Sequence, residues 1–206
     1  MTVSQLVQDK VKVSQLSVGV VLLDMQPGVL YAGHNRRKLH RRGPCVYENI
    51  PALIQAQMEV LDDCIENDIP VLLIEGVVER DSGLDYVFGE TIEPLRSKLE
   101  LVKRAVSGTK STDCGYHPKA AEWFVEQAVN ALFFMGVTGN GCVRFTVEGF
   151  RDGRSHWTDD SDEYAGRFAL FTNDKVIADC QHTPRFSLDW YKDAGMYAPD
   201  FKMLLK

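Results

Sequence analysis

The sequence has few cysteines and no C-x-x-C pair, which argues against a disulfide-rich protein and against a zinc-cluster protein. Its cysteines are odd in number and widely spaced: Cys45, Cys64, Cys114, Cys142 and Cys180. This usage favours reduced thiols in a cytosolic compartment over a disulfide framework or a zinc cluster.

Long apolar runs and an excess of basic residues are also missing. No apolar run approaches the roughly 18 residues that are needed to cross a bilayer. The first residues, from Met1 to Leu16, lack the apolar centre of a secretory signal. The formal net charge of −6 argues against a general nucleic-acid binder, which is normally basic. We therefore expect a cytoplasmic protein that binds neither nucleic acid nor a membrane.

The length and composition are ordinary for a globular protein. The 206 residues are 45% hydrophobic and 25% charged, which is enough for one domain with a sizeable core. No linker, internal repeat or low-complexity segment indicates a second domain, so we expect residues 1–206 to form one domain.

Apolar runs that are typical of buried parallel strands alternate with amphipathic helical segments. The predicted strands are 18–23, 70–75, 99–103, 131–135, 155–159 and 175–178. The predicted helices are 51–66, 93–98, 117–130, 142–151 and 163–171. This alternation predicts a three-layer α/β/α sandwich with a mostly parallel, doubly wound (Rossmann-type) central sheet. Residues 187–206 have no clear assignment.

One stretch combines a strand end, a glycine-rich turn and a cysteine. The apolar run ends at Gly136, a turn with Gly139 and Gly141 follows, and Cys142 then begins a predicted helix. Backbone N–H groups at a helix N-terminus favour the thiolate, which is the nucleophile, and can also receive an oxyanion. The other interpretation of Cys142 is a buried, inert thiol.

Polar residues follow three of the predicted strands. Asp24 follows the first strand, Lys103 ends the third, and Cys142 follows the fourth. The carboxyl ends of parallel strands meet at one edge of the sheet, so we expect these three side chains to converge. A carboxylate can take the proton of the thiol, and an ammonium group can stabilise both anions. Lys110 is a rival of Lys103 for this role.

Together these motifs resemble the isochorismatase-like cysteine hydrolases, the superfamily that includes nicotinamidases and N-carbamoylsarcosine amidohydrolase. The resemblance covers roughly residues 18–179. The segments that carry it are Leu23-Asp24-Met25-Gln26, Val102-Lys103 with Ser107 and Thr112-Asp113, and the turn 136–143 with Thr146.

The resemblance implies a role for each matching residue. Asp24 would be the general base, Lys103 its charge partner and Cys142 the nucleophile. The peptide bond Val137–Thr138 would be cis, and the N–H groups of Thr138 and Cys142 would form the oxyanion hole.

Three further residues are candidates for substrate binding. Gln26 and Ser107 belong to the matching motifs, and Asn140 lies beside the nucleophile. Asn140 could donate a hydrogen bond to a substrate or could instead adopt a left-handed turn.

The implied reaction is attack of the Cys142 thiolate on a small carboxamide or ureido compound, followed by hydrolysis of the thioester. No cofactor is expected, because residues 75–81 lack the histidine of the Asp-x-His metal motif that nicotinamidases carry after the second strand. Two alternatives stay open: an isochorismatase-type hydrolase of a non-amide bond, and a catalytically silent member. Members that hydrolyse isochorismate generally lack the cysteine, so Cys142 favours amide chemistry. Members of the superfamily are often homo-oligomers, so a dimer or tetramer is expected.

The densest run of positive charge is at residues 34–42. It could receive an anionic substrate or an acidic patch on another subunit, or it could be a solvated loop.

Overall fold

A computed structural model describes residues 16–31, 47–77, 88–110, 115–153, 163–179 and 186–205. Its strands are β1 (Val18–Leu23), β2 (Val71–Gly76), β3 (Ala105–Lys110), β4 (Ala131–Val137), β5 (Ala169–Phe171) and β6 (Ile177–Ala178). Its α-helices are α1 (Pro27–Leu30), α2 (Ile50–Glu66), α3 (Glu93–Leu99), α4 (Pro118–Glu126), α5 (Arg144–Asp152) and α6 (Phe186–Asp193). A π-helical turn (Gly139–Val143) precedes α5, and a 3-10 turn (Phe201–Leu205) follows α6.

The six strands form one sheet in which every pairing is parallel. The order is β3-β2-β1-β4-β5, and β6 also pairs with β4, beyond the end of β5. β1 and β4 are buried along their whole length, as expected of central strands in a parallel sheet that is covered on both faces. The predicted α/β class with a mostly parallel sheet is confirmed.

The centre of the core beside β4 is aromatic. The ring of Phe150 on α5 is fully buried and makes edge-to-face contacts with Tyr116, Phe124, Phe134 and Phe168. Such pairs add to the free energy gained from burial. They fix α5, and with it the turn that precedes it, against the sheet.

Two predicted elements are wrong. Residues 99–103 are not a strand, because α3 ends at Leu99 and β3 begins only at Ala105. β3 is exposed on much of its length and therefore lacks the apolar run by which a buried strand is recognised. Residues 163–171 are a turn followed by the short strand β5 rather than a helix. The predicted strand 155–159 and the basic run 34–42 lie outside the described residues.

Within the described ranges, no helix is both long enough and apolar enough to span a membrane.

Candidate active site

A buried ion pair joins Asp24 and Lys110 at the carboxyl edge of the sheet. Asp24 directly follows β1, and Lys110 is the last residue of β3. Lys110 Nζ lies 2.7 Å from Asp24 Oδ2, and the two side chains are 7% and 4% exposed. β2 separates the two strands, and its residue Gly76 pairs with Lys110. A Cβ at Gly76 would lie 3.4 Å from Asp24 Oδ1, so the end of β2 packs directly against the carboxylate.

The backbone at Asp24 has an uncommon conformation. Its φ of 54° is in the left-handed region, while its N–H continues the sheet by donating to the carbonyl of Ile74 at 3.0 Å. A non-glycine residue held in this region is strained, and such residues cluster at functional sites. The turn in the chain directs the carboxylate away from β1 and toward Lys110.

Lys110 also contacts the thiol of Cys142, so it links the carboxylate to the predicted nucleophile. Burial is the largest influence on Lys110 and disfavours the ammonium, but the charges and hydrogen bonds of Asp24 and Cys142 together raise its pKa above the usual value. Cys142 itself is partly exposed. Lys110 therefore remains an ammonium group beside the thiol of a partly exposed cysteine.

The prediction that Lys103 joins this site is wrong. Lys103 lies in the turn before β3 and is exposed, so the whole strand separates it from Lys110. At about 3.3 Å per residue this separation is roughly 20 Å. The lysine that meets Asp24 is the rival, Lys110. The error followed from placing the third strand too early in the sequence.

Two of the candidate substrate-binding residues have other surroundings in the structure. Gln26 is buried, and its side chain donates to the carbonyls of Gly76 (3.1 Å) and Gly89 (2.5 Å) and accepts from the N–H of Gly76 (2.7 Å). Its amide is thus engaged by backbone and holds the ends of β1 and β2 together. Ser107 pairs with Leu73 in the middle of β3, about 10 Å along the strand from Lys110. It is therefore not at the carboxyl edge.

Asn140 lies in the turn before Cys142 and is not left-handed. Its φ is −91°, and its side-chain oxygen accepts a hydrogen bond from Arg144 Nη1 at 3.1 Å. The backbone N–H of Asn140 donates to Asp179 Oδ1 at 2.5 Å. The structure thus rules out the left-handed interpretation and places Asn140 in a hydrogen-bonded network beside the nucleophile.

The turn from β4 into α5 is held tightly at Thr138. The Val137–Thr138 peptide bond is cis. The carbonyl of Thr138 accepts hydrogen bonds from the N–H groups of Gly141 (2.9 Å) and Val143 (3.1 Å). The hydroxyl of Tyr47 lies 2.6 Å from Thr138 Oγ1. Thr138 therefore has a fixed position.

The start of α5 is anchored through Thr146. Its hydroxyl donates to the carbonyl of Cys142 at 2.7 Å and accepts from the N–H of Gly115 at 2.8 Å. This chain of bonds connects the turn that carries Cys142 to the segment that follows β3.

Sequence reasoning missed three residues that contact the turn before Cys142: Tyr47, Asp179 and Tyr191. Asp179 could have been found, because it directly follows a predicted strand in the way that Asp24 does. Tyr47 follows a segment without any periodic pattern, and Tyr191 lies in the tail that had no assignment. Neither tyrosine carried a signal in the sequence.

Of the four other cysteines, the structure describes Cys64. Cys64 is fully buried on α2, and burial followed by the charge of Asp63 raises the pKa of its thiol, as expected for a structural cysteine. The three cysteines Cys45, Cys114 and Cys180 lie outside the described residues. In the part of the chain that the structure describes, no cluster of three or more His, Cys, Asp or Glu side chains could hold a metal ion.

No family model and no curated protein matches the chain, whereas many solved structures do. N-carbamoylsarcosine amidase from Thermoplasma acidophilum is similar with a TM-score of 0.65 and 10% identity, over 90% of this chain and 96% of that one. The nicotinamidase/pyrazinamidase PncA from Bacillus subtilis has a TM-score of 0.66 and 14% identity, over 90% and 100% of the two chains. An isochorismatase-like hydrolase from Alkaliphilus metalliredigens has a TM-score of 0.63 and 12% identity, over 92% and 98%.

The chain has the isochorismatase-like fold. The three sequence motifs predicted this fold, and the structural likeness confirms it. At such low identities a shared fold does not by itself determine an activity. What this fold does in the present chain therefore depends on the side chains at the carboxyl edge of its sheet.

Proposed function

We propose that the protein is a cysteine hydrolase that cleaves the C–N bond of a small carboxamide or ureido compound through a thioester. Asp24, Lys110 and Cys142 carry the reaction. The observation behind this proposal is that one buried ammonium group, Lys110, contacts both a buried carboxylate and the partly exposed thiol. Similar structures that include an amidase and a nicotinamidase/pyrazinamidase support amide chemistry at such a site.

In the first step Asp24 takes the proton of the Cys142 thiol, and the thiolate attacks the carbonyl carbon of the substrate. A C–S bond forms, and the electron pair of the C=O double bond moves to oxygen. The N–H groups of Thr138 and Cys142 are the proposed donors to that oxyanion. The hydrogen bonds at Thr138 support this role, because catalytic donors have to be fixed before the charge develops.

In the second step the tetrahedral intermediate collapses and its C–N bond breaks. Asp24, now protonated, returns the proton to the leaving nitrogen, so that ammonia or an amine departs and the thioester remains. Water then attacks the thioester while Asp24 accepts a proton from it. The C–S bond breaks, the proton passes from Asp24 to the sulfur of Cys142, and the acid product leaves with the carboxylate and the thiol both restored.

Lys110 acts in this scheme as a fixed positive charge and does not transfer a proton. Its raised pKa keeps it charged across the neutral range, where it favours the thiolate and holds the carboxylate in place. Its burial strengthens both interactions, because charges interact more strongly away from bulk water.

The direct test is ammonia release from a panel of small carboxamides and ureido compounds. Wild type should turn over at least one member of the panel, and Cys142→Ala should abolish that turnover. Cys64→Ala is the matched control, because it removes a buried thiol on α2 and should leave turnover in place. Folding of each variant is checked by circular dichroism.

Two results would overturn the proposal. Turnover that persists in Cys142→Ala would exclude the thiol mechanism. If no member of the panel is turned over and Cys142 is alkylated no faster than an ordinary thiol, the alternative that this protein is catalytically silent would be favoured. The remaining alternative, a hydrolase of a non-amide bond, is tested separately with a vinyl ether, whose hydrolysis is followed by its carbonyl product because it releases no ammonia. That turnover would survive loss of the thiol.

A further inference from the structure

The peptide group between Gly139 and Asn140 is held at both of its polar atoms. The Tyr191 hydroxyl donates to the carbonyl of Gly139 at 3.0 Å, and the N–H of Asn140 donates to Asp179 Oδ1 at 2.5 Å. The carbonyl and the N–H belong to the same planar unit. That unit comes one residue after Thr138 and two residues before Cys142, so its plane is fixed in the middle of the turn.

The two side chains that hold this peptide come from separate parts of the fold. Asp179 directly follows β6, which pairs with β4 at Gly136 and Val137. Tyr191 lies on α6. Neither contact is local in sequence, so the turn is fixed by the assembled sheet edge and not by its own backbone alone.

Gly139 allows the close approach of the Asp179 carboxylate. A Cβ at this position would lie 3.0 Å from Asp179 Oδ1 and 3.4 Å from its Cγ. This is a tight contact, so a side chain here would require the carboxylate that accepts from the Asn140 N–H to shift slightly. The close packing of the carboxylate against the turn therefore favours glycine at position 139.

Tyr191 is a buried, neutral donor. Its side chain is fully buried, and burial, followed by the negative charge of Asp179, raises the pKa of its hydroxyl. It therefore stays protonated and donates throughout the neutral range. A buried hydrogen bond of this kind is costly to break when the acceptor is left without a partner.

α6 also supports the same turn indirectly, because its residue Trp190 packs against Arg144 of α5. Arg144 donates to the side-chain oxygen of Asn140 at 3.1 Å, and its guanidinium lies 4.7 Å from the centre of the Trp190 ring. Trp190 and Tyr191 are adjacent on α6. α6 therefore contacts the Gly139 carbonyl directly through Tyr191 and supports the Asn140 side chain through Trp190 and Arg144.

We propose that Tyr191 and Asp179 are positioning residues, which hold the Gly139–Asn140 peptide so that Cys142 stays beside Lys110 and the N–H groups of Thr138 and Cys142 stay aligned. This inference rests on the proposed function, because it assigns the two residues a purpose in thiol chemistry. The alternative is that the same hydrogen bonds only stabilise the C-terminal segment, in which case Cys142 would react normally in any folded variant.

The experiment measures the rate at which iodoacetamide alkylates Cys142, followed on the peptide that contains it, across a range of pH. The variants are Tyr191→Phe, Asp179→Ala and Asp179→Asn. Asn keeps an oxygen that can accept from the Asn140 N–H, whereas Ala does not. Tyr197→Phe is the matched control, because it also removes a hydrogen-bonded tyrosine hydroxyl, here one outside the site that donates to Asp174 Oδ1 at 2.9 Å.

We expect Tyr191→Phe and Asp179→Ala to slow alkylation about tenfold and to move the pH of half-maximal rate upward. Asp179→Asn should retain most of the wild-type rate, and Tyr197→Phe should equal wild type. Folded Tyr191→Phe and Asp179→Ala variants with wild-type rates would overturn the proposal. It would also be overturned if Ala and Asn at position 179 both accelerated alkylation, since the effect of Asp179 would then be that of its charge alone.

Failure of this inference can be told apart from failure of the proposed function. Lys110→Met is measured in the same series. If it slows alkylation while Tyr191→Phe and Asp179→Ala do not, the thiol site stands and the positioning role falls. If wild type already reacts as an ordinary thiol and Lys110→Met changes nothing, the proposed function itself is wrong.

Discussion

The two ends of β3 place lysines in opposite environments. Lys103 lies in the turn before the strand and is exposed to solvent, whereas Lys110 ends the strand with 7% of its side chain exposed and 2.7 Å from Asp24. Both residues are lysines, but Lys103 is at the amino edge of the sheet and Lys110 is at the carboxyl edge. In parallel sheets it is the carboxyl edge that gathers the ends of several strands, so a side chain there meets partners from other strands.

The largest expected difference between the two ends is in catalysis. Lys110→Met should lower kcat/KM for the amide substrate by about 1000-fold, because both the thiolate and the orientation of Asp24 depend on the ammonium. Lys103→Met should stay within about twofold of wild type, since an exposed lysine far from the site contributes little. Steady-state ammonia release measures both. Equal losses of kcat/KM in the two variants would contradict a special role for the lysine at the carboxyl edge.

The second difference is in stability. Lys110→Met leaves the Asp24 carboxylate buried without its cation and should lower the free energy of unfolding by about 3–5 kcal/mol. Lys103→Met should change it by less than about 0.5 kcal/mol. Urea unfolding gives both values. In the double variant with Asp24→Asn the charge is gone as well, so much of the loss should be recovered, and a purely additive double variant would argue against the ion pair.

The stability difference should also fall at alkaline pH. Lys110 has a folded-state pKa above its unfolded value, so its contribution is fully present below the unfolded pKa of about 10.4 and is lost as the pH rises through the folded pKa. The gap between wild type and Lys110→Met should therefore persist as the pH rises from neutral to about 10 and shrink above that pH. Urea unfolding at several pH values measures the gap, and a gap that shrank as the pH rose from neutral to about 9 would contradict the assignment.

The smallest expected effect concerns Thr138. Tyr47→Phe removes the hydroxyl that lies 2.6 Å from Thr138 Oγ1 and should cost about 1 kcal/mol of stability, with a loss of kcat of less than about tenfold. Tyr31→Phe is the control, because Tyr31 is 57% exposed. Thermal unfolding and ammonia release measure the two effects. A larger loss for Tyr31→Phe would show that the comparison does not report on the site.

The central strands were predictable and the edge strand was not, for a physical reason. β1 and β4 are buried on both faces, so each is a continuous apolar run in the sequence and was placed correctly, together with Asp24 and Cys142 beyond their ends. β3 is largely exposed and contains Ser107 and Gly108, which are typical of turns. The apolar residues within 99–103 therefore predict a strand that is too early in the chain, and with it Lys103 in place of Lys110.

The residues that hold the turn before Cys142 were beyond sequence reasoning for another reason. Tyr47 and Tyr191 reach Thr138 and Gly139 from distant parts of the chain. Such contacts depend on tertiary packing, which leaves no periodic pattern in either segment. The motif gave the position of the nucleophile but not the side chains that support it.

The measurement that tests the account most directly is the alkylation of Cys142 in wild type, Lys110→Met and Lys103→Met as a function of pH. We predict rapid alkylation of wild type below about pH 8 and the same profile for Lys103→Met. In Lys110→Met the rate should fall by about tenfold or more and the profile should move toward that of an ordinary thiol. Identical, slow profiles in all three proteins would contradict the claim that Lys110 joins Asp24 and Cys142 into one reactive site.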